Sequence, residues 1–77
     1  MPKSTPAALS LLAPVAVWRD EFGSVYEWPQ GCADNRKSRV LRRIENYGMG
    51  LPVDDTLRIF RDPADARAYG NRLHAGA

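Results

Sequence analysis

A chain of 77 residues, 44% of them hydrophobic and with a formal charge of +2, has room for one domain. Its single Cys and single His exclude an intramolecular disulfide framework and a four-ligand structural zinc site. No run approaches the ~20 apolar residues of a membrane-spanning helix, and a core this small supplies only roughly 3–5 kcal/mol of net stability. Few apolar side chains are then left over to wall a deep catalytic cleft.

Residues 1–14 carry Pro2, Pro6 and Pro14 and read as a flexible leader, with a single domain over residues 15–77. The apolar run from Ala7 to Val17 follows Lys3, as a secretory signal core would. Ser10 and Pro14 interrupt it, one positive side chain precedes it, and no small-x-small cleavage site follows, so a cytoplasmic location is expected.

Val15 to Trp18 and Val25 to Trp28 are short, β-branched and aromatic, which is strand composition. The polar connection Arg19-Asp20-Glu21-Phe22-Gly23-Ser24 has a glycine near its end, where a hairpin loop often needs a positive φ. A β-hairpin is expected, ended by Pro29, which cannot donate to a ladder. Alternation separates Val15 and Val17 from Ala16 and Trp18, and Tyr26 and Trp28 from Val25 and Glu27.

Gly31 to Ala33 reads as a turn. Asp34 or Asn35 can cap a helix running from about Asn35 to Tyr47. Val40, Leu41, Ile44 and Tyr47 give that helix an apolar stripe, and Gly48 suits the left-handed position after it, with Pro52 preventing resumption. Asp54-Asp55 is a turn, and Thr56 to Phe60 a third strand with Leu57 and Ile59 on its buried face. Asp62 caps a second helix, with Pro63 pre-set at the first helical position and Asp65 favourable in the first turn. Ala66, Tyr69 and Leu73 form its stripe, and Gly70 permits a close approach to a sheet. The order ββαβα predicts an α+β two-layer domain: a three-stranded, mainly antiparallel sheet with two helices packed on one face.

Charge is unevenly spread. Residues 34–47 hold Arg36, Lys37, Arg39, Arg42 and Arg43 against Asp34 and Glu45, a net +3, while the segments on either side are near neutral. At about 100° per residue, Arg39, Arg42 and Arg43 fall in one arc away from the apolar stripe. Arginine presents a planar fork of donors suited to phosphate or carboxylate. An anion-facing helix is one reading; a solvated face, with Glu45 partly neutralising Arg42, is the other. Trp18, Tyr26 and Trp28 form an aromatic platform if their side of the hairpin is open, and the core if it is covered.

Catalytic signals are lacking. Cys32 and His74 share no motif, and a reactive thiol needs a nearby base and a lowered pKa. Asp54-Asp55 falls far short of a calcium loop, and Gly48-Met49-Gly50 lacks the Lys-Ser/Thr of a phosphate loop. No catalytic residue, metal or cofactor is implied.

The expectation is a small non-catalytic regulatory or inhibitory protein that binds a protein partner stoichiometrically. Its contacts would come from Arg36, Arg39, Arg42 and Arg43 and from hairpin aromatics, Trp18 or Trp28. The alternative is a nucleic-acid-binding protein gripping phosphates through the same helix. The arginine-dominated basic set and abundant alanine fit a bacterial, phage or plasmid source. By analogy of size alone, phage- or plasmid-encoded inhibitors of host defence systems are comparable. An open sheet edge would also permit dimer pairing.

Overall fold

In the computed structural model, residues 14–31 and 36–76 are described. The chain builds strands β1 (Val15–Arg19) and β2 (Val25–Pro29), helix α1 (Lys37–Tyr47), strand β3 (Arg58–Phe60) and helix α2 (Pro63–Gly76). The strands form one antiparallel sheet in the order β2-β1-β3. The α+β class, the ββαβα order and the three-stranded sheet are as expected. The expected leader lies almost wholly outside the described residues.

The hairpin closes as a tight turn followed by a bulge. The Gly23 N–H donates to the Asp20 carbonyl (3.1 Å), the Asp20 N–H donates to the Ser24 carbonyl (2.9 Å), and Gly23 takes φ +88. A side chain at that angle would be strained, which is why glycine sits there. Opposed residues bond in alternation in an antiparallel pair. Since the Gln30 N–H donates to the Pro14 carbonyl (2.8 Å), the even-numbered residues of β2 bond to β1. Pro29 then points its missing donor away from the ladder, so it sits within the last strand position, paired with Val15, instead of just beyond it.

Helix α1 starts at Lys37, with extended Arg36 (φ −71, ψ 132) in the N-cap position. Asp34 and Asn35, expected to cap it, lie outside the described residues, as does Cys32. Its other end matches expectation. Gly48 is left-handed (φ 70), its N–H donates to the Glu45 carbonyl, and the Met49 N–H donates to the Ile44 carbonyl, both at 3.1 Å. This pair of bonds satisfies carbonyls the helix would otherwise orphan. Helix α2 begins as read from Asp62-Pro63: the Ala64 N–H donates to the Asp62 carboxylate (2.9 Å).

The helices do not share a face of the sheet. Register places Ala16, Trp18, Tyr26 and Trp28 on one face; there Val40 and Ile44 of α1 join Ala16, Trp18 and Leu57 in the main core. Glu27, Val17 and Arg58 line up on the other face, where α2 lies. Arg67 of α2 pairs with Glu27 (3.0 Å), and Tyr69 packs on Phe60 with ring centroids 5.3 Å apart. β1 is consequently covered on both sides, with Ala16, Val17 and Trp18 fully buried. The expected two-layer packing is corrected to helix, sheet, helix. The physical reason is that both faces of β1 are apolar, and each must be kept from water.

Candidate interaction surface

Helix α1 is pinned by Val40 and Ile44, so the residues a further quarter-turn round emerge beside the end of β2. Arg39, Arg43 and Tyr47 share this flank at about 100° per residue. Arg43 is half-buried, and its Nε and Nη2 both donate to Gln30 Oε1, at 3.1 and 2.6 Å. Gln30 is itself buried; its Nε2 donates to the Trp28 carbonyl (2.7 Å). The amide oxygen thereby accepts two bonds, and it fixes the guanidinium at the strand end. A guanidinium has five N–H donors, so others remain for a ligand.

Tyr47 is 72% exposed and meets Trp28 edge-on, with centroids 5.3 Å apart and planes at 64°. Trp28, Pro29, Gln30, Gly31, Arg43 and Tyr47 line a shallow groove of about 300 Å³. Its described walls include two aromatic rings and one fixed guanidinium, with no carboxylate among the described lining residues. Further round α1, Ser38, Arg39 and Arg42 border a second hollow of about 360 Å³. Arg36, Arg39 and Arg42 are exposed.

Of the expected contact residues, Arg43 and Trp28 are thus brought together at the end of β2. Arg39 and Arg42 border the separate hollow on α1, and Arg36 stands at the start of that helix beside Lys37, which reaches Asp55. Trp18 reaches neither surface. It is 0% exposed, stacked on Tyr26 (4.8 Å between centroids, 11° between planes) and edge-on to Trp28 (6.1 Å). The aromatic platform belongs to the core, with Trp18 covered and Tyr26 and Trp28 half-buried at its margin. The expected buried stripe also changes: Leu41 and Tyr47 are exposed because Val40 and Ile44 alone point at β1, and the last turn of α1 overhangs the sheet edge. Tyr47 and Gln30 are the residues that sequence reasoning missed. The one local signal for Tyr47 is its place immediately before the helix-stopping Gly48. Gln30 had none, since its partner lies 13 residues away.

The opposite end of the molecule is acidic and apolar. Phe22 at the hairpin tip is 83% exposed and Leu51 is 50% exposed, with Glu21 and Val53 beside them. Asp20 ties this end together. Its carboxylate accepts the Phe22 and Ser24 N–H groups (2.9 Å each) and the Tyr26 hydroxyl (2.8 Å). Burial pushes the Asp20 pKa up. The donors from Tyr26, Ser24, Phe22 and Gly23 outweigh that and hold it below the usual carboxylate range. The same bond, reinforced by burial and by the charge of Asp20, raises the Tyr26 pKa against an opposing Gly50 N–H.

Because the folded pKa of Asp20 is depressed, its contribution is complete above the unfolded value and disappears as pH falls through the folded one. Wild-type stability should therefore decline below about pH 4. Asp20→Asn should be less stable at pH 7 and show a flatter acid limb. Urea midpoints between about pH 2 and 7 check this; parallel curves for the two proteins would exclude Asp20 as the titrating group.

The remaining chemically suggestive residues have structural surroundings. Asp54 and Asp55 occupy left-handed backbone (φ 53 and 56), with Asp54 bonded to Arg19 Nη2 (3.0 Å) and Asp55 3.9 Å from the Lys37 ammonium. His74 is exposed in the last turn of α2, a favourable place for a cation. Among the described residues, no group of three or more His, Cys, Asp or Glu is placed to hold a metal, and no helix is long and apolar enough to cross a membrane.

No family model, no curated protein and no solved structure matches the chain.

Proposed function

We propose that this is a small non-catalytic binding protein that docks on an acidic surface of a protein partner, occupying or blocking it stoichiometrically. The carrying observation is the groove at the end of β2, where Tyr47 and Trp28 stand against an Arg43 held in place by Gln30. Tyr, Trp and Arg are the residue types that most often dominate binding energy. A guanidinium fixed before binding loses less freedom on docking than a mobile one. Arg39 and Arg42, on the same helix as Arg43, add favourable potential for acidic side chains and speed encounter.

Protein is favoured over nucleic acid because the basic region is narrow. The other end of the fold presents Glu21 and Asp54, and the net charge of +2 is small for tracking a phosphate backbone. The test places a photo-crosslinking benzoylphenylalanine at Tyr47, with His74 as a control position, in the cells of origin. A discrete protein adduct at Tyr47, absent at His74 and weakened at least tenfold by Arg39→Glu with Arg42→Glu, is expected. In parallel, labelled DNA and RNA are titrated across ~50–200 mM salt. Micromolar binding that falls with salt and is lost in the double variant would replace the protein reading by the nucleic-acid one.

A further inference from the structure

The two ends of the molecule are complementary. At one end the groove combines aromatic walls with a guanidinium and neighbouring arginines. At the other, the hairpin tip carries an almost fully exposed Phe22 next to Glu21. We propose that the groove accepts the hairpin tip of a second copy of this chain, with Phe22 packed against the Trp28–Tyr47 pair and Glu21 paired with Arg43. The inference rests on the reading of the groove as a protein-binding site, and it names one occupant for it: an aromatic residue flanked by a carboxylate.

Several observations support this occupant. A ring 83% exposed at a turn tip is the least favourable place for a Phe in an isolated molecule, and such residues mark contact sites when grouped. The tip is stiff, because Asp20 binds the N–H groups of Phe22 and Ser24 and the Tyr26 hydroxyl. Little freedom is therefore lost when it inserts. Edge-to-face aromatic packing and an Arg–carboxylate pair are the two interactions that the groove's composition offers. The groove, at about 300 Å³, is roomy enough for one ring.

The tip and the groove lie at opposite ends of β2. The contact is therefore made either reciprocally by two antiparallel copies, which closes a two-fold dimer, or head-to-tail, which continues as an open chain or closes as a ring. The contact is small, below about 1,200 Å² in total, and hence weak and concentration-dependent. A partner with a similar aromatic–acidic segment would compete with it.

The experiment is sedimentation equilibrium of the full chain from ~10 µM to ~1 mM, the range suited to a contact of that size. The wild type should rise above its 8.6 kDa monomer mass with concentration, less so at high salt. Phe22→Ser, Glu21→Lys and Tyr47→Ser should each weaken association at least tenfold. All three positions are exposed, and far-UV circular dichroism is the check that each variant is folded. An equimolar mixture of Phe22→Ser and Tyr47→Ser retains one intact groove and one intact tip, and should form a heterodimer that goes no further. A monomeric wild type at every concentration would overturn the inference. So would single variants that still associate, or a mixture that stays monomeric. If a monomeric wild type nevertheless crosslinks another protein through position 47, the binding site stands and only self-association falls. If position 47 captures no protein, neither itself nor another, the reading of the groove falls as well.

Discussion

Trp18→Ala should leave the chain largely unfolded at 25 °C. The side chain is 0% exposed at the centre of the main core. It stacks on Tyr26 and meets Trp28 edge-on, and its Nε1 donates to the Gly50 carbonyl at 2.8 Å. Removing a buried Trp costs about 3–5 kcal/mol, because transfer energy is lost and the cavity collapses only partly. A domain of this size has about the same amount in total. Trp18→Phe keeps a ring but orphans the Gly50 carbonyl, and should cost less, about 1–3 kcal/mol. Urea unfolding followed by near-UV circular dichroism reads both. A Trp18→Ala protein with a wild-type midpoint would show that the centre of stability lies elsewhere.

Gly50→Ala should be the next most damaging single change, although it adds only a methyl group. A Cβ at this position would lie 2.8 Å from Asp20 Cβ and 2.9 Å from the Tyr26 hydroxyl, and closer still to an Asp20 carboxylate oxygen. None of these can retreat easily. Asp20 is held by two turn N–H groups and the Tyr26 hydroxyl, and Gly50 is held by Trp18. Overpacking of this kind costs about 3 kcal/mol, at the upper end of its usual range. Gly70→Ala offers a comparison: its methyl group meets only the tip of the flexible Glu27 carboxylate, at 2.8 Å, which can swing aside. Gly31→Ala faces open space and should stay within about 0.5 kcal/mol of wild type. Thermal melts of the three variants should rank Gly50 far below Gly70, with Gly31 unchanged. An unaffected Gly50→Ala would mean that the hairpin and the segment after α1 are not locked together.

Gly50 also shows how the hairpin end is built, and why its sequence looked plain. Asp20 was legible only as one polar residue in a loop. Its three hydrogen bonds run partly to Phe22 and Ser24, close in the chain, and partly to Tyr26 across the hairpin. The Gly50 backbone that closes over them arrives from 30 residues away. No pattern within a short window contains that approach.

The elements themselves were written locally. The Asp62-Pro63 start of α2, the Gly48 stop of α1 and the alternation of Ala16 and Trp18 against Val17 rest on interactions within a few residues, and composition alone specifies these. The basic helix and its arginines were equally visible, as charge and angular spacing. Only the folded chain decided which side of the sheet each helix covers, because that depends on two apolar faces of β1 competing for two helical stripes. It also decided that Trp18 is core while Tyr47 is exposed, since a side chain's exposure depends on where a distant element stops. The groove exists for the same reason: Arg43 and Gln30, or Tyr47 and Trp28, meet only when the end of α1 is laid across the end of β2.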